Sequence, residues 1–280
     1  MTLLVNKNTI AQIDSLIQSP PHAVIISGPA GLGKKYTTKY IANTFFPQKS
    51  EYYQSVRIYN VSDDDFGVGT ISSIQKFIKT KNSTNSIINK LVIIHSGQDL
   101  SVPAQNKLLK TLEEPNTGVL IIICVTNKNY LLPTITSRCQ NIILIPPNFE
   151  QLEEHFIKKQ YSIAEIKKAY NISNGLPQLM QSLLENNEHE LRTATDVAKQ
   201  ILSSNHFDRL SLSDELSKDK NLLINVAYML QKIAISAIQN KDSSNALKWL
   251  KVLKSSYEAE DALSKNVSTK LVCNRLMLSV

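Results

Sequence analysis

Seven residues, Gly28-Pro-Ala-Gly-Leu-Gly-Lys34, follow a short apolar run and precede a helical pattern, an arrangement suited to holding phosphate. Glycines let successive backbone N–H groups turn inward around phosphate oxygens, the helix N-terminus adds its dipole, and a lysine supplies a point charge. Gly28, Gly31, Gly33, Lys34 and Lys35 are the candidate phosphate-binding residues. The position after the first lysine ordinarily carries a Ser or Thr whose hydroxyl ligates Mg²⁺. Here it is Lys35, and an ammonium group cannot coordinate a cation. Thr37 and Thr38 lie further along the helix, where a turn of about 100° per residue points them elsewhere. Weak nucleotide binding through phosphate is left, with a damaged metal site.

A second part of that chemistry is also altered. In nucleotide hydrolases with such a loop, the strand after the first crossover ends in Asp-Glu, the Asp holding Mg²⁺ and the Glu polarising the attacking water. The corresponding apolar run, Leu91-Val-Ile-Ile94, ends in His95-Ser96-Gly97-Gln98-Asp99. His95 and Ser96 occupy the acid positions. A histidine without a carboxylate partner reads as a strand-end residue before it reads as a base or ligand. Asp99 comes four residues late, and reads as solvated or as capping the helix after Ser101.

The elements that must position these groups emerge from the apolar pattern. His22-Ala-Val-Ile-Ile-Ser27, Leu91–Ile94, Val119-Leu-Ile-Ile-Ile-Cys-Val125 and Asn141-Ile-Ile-Leu-Ile145 each read as a strand buried on both faces. Helical patterns alternate with them, as in βαβ units around a parallel sheet. Between Ser62 and Asn89 lie an acidic loop, Asp63-Asp-Asp65, a Gly67/Gly69 turn, and a helix from about Thr70 with Ile71, Ile74, Phe77 and Ile78 on one face. Pro146-Pro147 ends the α/β pattern. The rest of the chain reads as helices: one group over 149–186 with Gly175-Leu-Pro177 as its turn, and another from about 188 with long apolar helices over 222–238 and 247–263. The expected organisation is an α/β phosphate-loop domain over 1–147, a small helical domain over 148–187 and an all-α domain over 188–280.

Composition adds bounds. With 42% hydrophobic and 20% charged residues, the 280-residue chain reads as globular. The net charge of +7 permits contact with nucleic acid. The lysines are scattered, however, and Lys76, Lys79 and Lys81 read as a solvated helix face before they read as a DNA contact. Cys124, Cys139 and Cys273 form no CxxC pair, which supports neither a disulfide framework nor a zinc site. No signal-type stretch opens the chain, and no window is expected to reach the roughly 20 apolar residues of a membrane span, so the expected location is the cytoplasm.

A longer stretch carries a resemblance. Asn106-Lys-Leu-Leu-Lys-Thr-Leu-Glu-Glu-Pro115 is similar to the NALLKTLEEP run of bacterial clamp-loader subunits of the AAA+ class. Val125-Thr-Asn127 resembles that family's sensor 1 region, with Thr126 and Asn127 at the key positions. Leu132-Pro-Thr-Ile-Thr-Ser-Arg-Cys139 resembles its SRC motif, and the spacing of the three blocks is similar too. Asn174-Gly-Leu-Pro-Gln178 resembles the lid turn, with Gln178 where hydrolysing members carry a sensor 2 Arg. Asn266–Leu278 resembles the last helix of the collar domain.

The resemblance implies an AAA+ domain, a helical lid and a helical collar that holds subunits in a ring. It implies that Arg138 serves as an arginine finger for a neighbouring subunit's ATP site; on the residues alone, Arg138 caps a helix or pairs with a local acid. Degenerate phosphate loops and lost acids are features of the delta-prime members, which points to a non-hydrolysing subunit of the DNA polymerase III holoenzyme. The implied partners are gamma/tau ATPase subunits, a delta subunit, the sliding clamp and primer-template DNA, with no membrane. The implied cofactors are none that is certain, ATP and Mg²⁺ binding weakly or not at all, and no zinc. The family's four-cysteine zinc module is a departure, because no cysteine precedes Cys124. Two other readings stay open: an ATP-hydrolysing subunit of the gamma/tau class, and a small-molecule P-loop kinase, which the all-helical last hundred residues do not resemble.

Overall fold

A computed structural model describes residues 3–61, 66–80, 87–173, 175–185, 190–239, 246–265 and 267–280. The acidic loop, Lys81 and Asn174 lie outside them. The chain divides into two compact units, residues 1–159 with 175–177, and residues 160–174 with 178–280.

The first unit is built on a five-stranded parallel sheet in the order β2-β3-β4-β1-β5. Its strands are β1 (Ala23–Ser27), β2 (Val56–Asn60), β3 (Lys90–His95), β4 (Val119–Val125) and β5 (Gln140–Ile143). β1, β3 and β4 are buried at every position, as continuous β-branched runs require when helices cover both faces. β5 departs from the expectation of a strand buried on both faces. It is the sheet's edge, with Ile143 52% exposed, because only β1 lies beside it. The other edge, β2, carries the mixed sequence Val-Arg-Ile-Tyr-Asn and is half exposed.

One face of the sheet packs against α4 (Val68–Lys79) and α5 (Val102–Glu113). Ile71, Ile74 and Ile78 of α4 and Ala104, Leu108 and Leu112 of α5 join Ile25, Val92, Ile94, Ile121 and Ile123 in one core, with Phe77 partly buried at its margin. This is the helical face expected near Thr70. α1 (Lys7–Gln18) and α2 (Lys34–Phe45) pack against each other, α1 also against β5 and α2 against β3. The short α3 (Lys49–Ser55) leads into β2, α6 (Pro133–Thr136) precedes β5, and α7 (Phe149–Ile157) closes the unit.

The second unit holds α8 (Ile163–Ser173), nearly all of α9 (Pro177–Glu185), α10 (Glu190–Ser203), α11 (His206–Leu216), α12 (Lys220–Gln239), α13 (Ala246–Ser264) and α14 (Thr269–Ser279). α12 packs along α10 and α13, and α14 along α11 and α13. Partly buried polar links tie two of these pairs: Gln231 Nε2 donates to Glu260 Oε2 (2.9 Å) and Ser213 Oγ to Asn274 Oδ1 (2.7 Å). Contrary to the sequence expectation, one segment, Lys220–Ile238, is long and apolar enough to cross a membrane by length and composition. It is half buried inside the structure and buries Asn225 and Gln231, so its apolar length is that of a core helix.

Candidate functional site

Parallel strands give the sheet a carboxyl end and an amino end, and the candidate residues divide between them. At the carboxyl end β1 runs into Gly28, whose N–H donates to Val125 O at 3.2 Å. A Cβ on Gly28 would meet Leu144 O at 3.1 Å, so the loop lies close against the chain that follows β5. Gly31 and Gly33 take φ of 80° and 81°, a region that favours glycine. Gly33 is the N-cap of α2, and no side chain caps that helix. The first-turn N–H groups therefore carry the positive end of the helix dipole without a side-chain acceptor. Lys34 Nζ donates to Gly28 O (2.5 Å) and Pro29 O (3.0 Å), lying along its own loop.

Lys35 is exposed. Thr37 and Thr38 are buried, and their hydroxyls donate back to Gly33 O (3.1 Å) and Lys35 O (3.0 Å). Both hydroxyls are engaged by backbone carbonyls at the start of α2. Across β4, His95 ends β3 at 7% exposure. Burial first, then the charges of Lys35 and Lys34, push its pKa down to about 4, so the imidazole is neutral at pH 7. Ser96 follows in a left-handed conformation, φ 56°. Gly97 packs so tightly on β4 that a Cβ would meet Ile123 Cγ2 at 2.7 Å.

Asp99 lies in a 3₁₀ turn, and the N-cap of α5 is Ser101, whose Oγ accepts from Ala104 N. Beyond β4, Thr126 N–H donates to Gln98 Oε1 (3.4 Å), while Asn127 Oδ1 accepts from Asn129 N (3.0 Å) and caps a 3₁₀ turn. These residues fit Mg²⁺ with ATP poorly: the Thr37 and Thr38 hydroxyls bond to backbone carbonyls, two lysines sit at the loop, and the strand end offers an imidazole in place of carboxylates. Among the described residues no three His, Cys, Asp or Glu side chains are grouped to hold a metal ion.

Arg138 belongs to the amino end. β5 pairs Gln140 with Val24 and Ile143 with Ser27, so Arg138 lies before the strand starts and the phosphate loop lies after β1 stops. At about 3.3 Å per strand residue, roughly 20 Å of sheet separates them. The guanidinium is partly exposed; its Nη2 pairs with Glu113 Oε1 at 2.9 Å and its Nη1 donates to Thr134 O at 3.0 Å. Glu113, in the last turn of α5, is thus an acid partner that the motif alone did not single out. The sequence reading also missed Gln105, buried in α5. Its Nε2 donates to Leu100 O (3.0 Å) and at longer range to Tyr130 O (3.5 Å), and its Oε1 accepts from Leu132 N (2.8 Å). A glutamine among the inward-facing positions of α5 was the available signal.

A family model described as DNA polymerase III, delta subunit, matches residues 6–148. The chain belongs to this clamp-loader family, as a delta-prime-type member. Delta-prime subunits of DNA polymerase III are 27% identical over 57% of the chain in Bacillus subtilis and 31% identical over 45% of it in Haemophilus influenzae. The matches span 53% and 38% of those relatives' own length. A gamma subunit-related protein of DNA polymerase III from Thermotoga maritima shares the fold of this delta-prime-type chain, at a TM-score of 0.51 and 17% identity, covering 96% of this chain and 97% of its own. The AAA+ architecture is shared across that likeness.

Proposed function

We propose that the chain is a non-hydrolysing clamp-loader subunit that assembles with gamma/tau-type ATPase subunits and a delta subunit, donates Arg138 to a neighbour's ATP site, and helps to load the sliding clamp onto primer-template DNA in the cytoplasm. In this reading residues 148–187 act as the lid and 188–280 as the collar, and Gln178, in the second unit, supplies no sensor arginine. The observation that carries it is the separation of the two ends of the sheet. A backbone position roughly 20 Å of sheet away from its own phosphate loop supports a role for Arg138 toward another subunit's nucleotide. Lys35 and the His95-Ser96 pair add support, since each removes a group that hydrolysis in this chain would need.

The test is a reconstituted clamp loader from the same organism, with primed DNA and clamp, comparing wild type with Arg138→Ala beside an assay of the isolated chain. The isolated chain should be inactive. The substitution should lower turnover at the adjoining site by on the order of 10³-fold while the complex still assembles. Mg²⁺-dependent turnover by the isolated chain, with no effect of Arg138→Ala, overturns the reading in favour of a gamma/tau-class ATPase.

A further inference from the structure

α13 carries apolar residues on two opposite sides. It packs against α12 and α14 with Val252, Ser256, Ala259 and Leu263 buried. At about 100° per residue, Leu247, Leu250, Lys254, Tyr257 and Asp261 form a second stripe on the far side of the helix. They recur at steps of three, four, three and four residues, the seam of a helix that packs along another helix. Here that seam faces solvent: Leu247 is 84% exposed, Leu250 51% and Tyr257 52%.

Charge along the helix is just as uneven. Its first half carries Lys248, Lys251 and Lys254 and no acid, and its second half carries Glu258, Glu260 and Asp261. The acids are engaged within the chain, Glu258 by Arg275 and Glu260 by Gln231, both at 2.9 Å, and Asp261 by Lys265 at 2.6 Å. The lysines are not matched in this way. Among the described residues Lys248 meets only the ring of neighbouring Trp249, Lys251 forms no ion pair, and Lys254 reaches Glu258 at 4.0 Å. Like charges three residues apart repel one another, and Lys248 in the first turn opposes the helix dipole.

We propose that the outer stripe of α13 docks a helix of a partner protein, one with apolar residues to cover Leu247, Leu250 and Tyr257 and with carboxylates to meet Lys251 and Lys254. A nucleic acid would engage the lysines and leave both leucines in water. A second copy of the chain fits less well, because symmetric pairing along the stripe brings two Lys254 side chains together at its middle. The inference deepens the proposed function and rests on its reading of 188–280 as the part that assembles; it adds the face used and the chemistry of what covers it.

The test is a titration of the labelled full chain with purified gamma/tau-type subunit and, separately, delta subunit from the same organism, at low and high salt. One of them should bind, and more weakly as salt rises. Lys251→Glu with Lys254→Glu, and in a second variant Leu247→Ser with Leu250→Ser, should each weaken that binding by about tenfold or more. Both variants should keep the wild-type melting temperature, since the substituted side chains are exposed. Unchanged binding by either variant, or binding indifferent to salt, overturns this inference and leaves the proposed function standing; no binding of either subunit by the wild-type chain overturns both. A dimer of the wild-type chain alone that the leucine variant loses assigns the stripe to a second copy, and a labelled single-stranded oligonucleotide whose binding the lysine variant loses assigns it to nucleic acid. Each of those results also overturns the inference.

Discussion

The carboxyl and amino ends of one sheet are built on different principles. At the carboxyl end the geometry is set by backbone: glycines in left-handed conformations, a glycine pressed onto β4, and a serine held at φ 56° where β3 stops. The charged side chains of its loop, Lys34 and Lys35, are cations. At the amino end a long, many-jointed side chain, an arginine, is fixed by a carboxylate and a carbonyl on the surface. A site made of backbone keeps its shape when its side chains change, so a glycine-rich loop can keep its conformation whatever residues stand beside it. A site made of one guanidinium depends on that residue and on whatever aims it.

The comparison can be broken most forcefully at the packed end. Gly97→Ala puts a methyl within 2.7 Å of Ile123 Cγ2 and 3.0 Å of Val125 Cγ1, both branched side chains on a buried strand that cannot swing aside. The expected cost is about 1–3 kcal/mol of unfolding free energy, seen as a lower denaturant midpoint. A midpoint equal to wild type would show that the turn after β3 has room to move.

A smaller effect distinguishes the ends by pH. His95 titrates near 4 when folded and near 6.5 when unfolded, so between those values the unfolded chain holds the extra proton. The contribution of His95 to stability is complete above about pH 6.5 and falls as pH drops toward 4, by at most about 1.4 kcal/mol per pH unit. His95→Gln should flatten that part of the stability profile; an unchanged slope would place the imidazole in contact with water.

The smallest change in stability is expected at the exposed end. Glu113→Gln removes a partly exposed ion pair and should shift unfolding by under about 1 kcal/mol. Its effect should appear instead in the turnover of the assembled complex, lowered in the same direction as by Arg138→Ala and absent when Arg138 is already alanine. Wild-type turnover with Glu113→Gln would mean that Arg138 is aimed by Thr134 O alone or by the neighbouring subunit.

The interior of the first unit was largely legible in the sequence, because strands covered on both faces must be apolar throughout, as β1, β3 and β4 are. The edges were not. β2 alternates polar and apolar residues in a run too short to stand out, and β5 has an apolar sequence while leaving Ile143 to solvent. The phosphate loop was legible for a related reason: glycine spacing encodes backbone conformation directly. The partners of polar side chains were not legible, since nothing in a glutamate near the end of one motif says that it meets the arginine of another. Asn127 shows the same limit, being occupied as a cap within its own turn.

Gln105 gives the molecule a mechanical property. One buried amide fastens the start of α5 to the strand-to-helix passage at Tyr130–Leu132, just ahead of the turn that carries Arg138. Sliding that turn along α5 means breaking the bond from Leu132 N to Gln105 Oε1 and the longer one to Tyr130 O, the shorter worth about 1 kcal/mol and more if the amide is left unsatisfied. The turn and the helix therefore behave as one stiff lever with Arg138 and Glu113 at its tip, and a push on the arginine is delivered to the far end of the sheet instead of being absorbed by a loop.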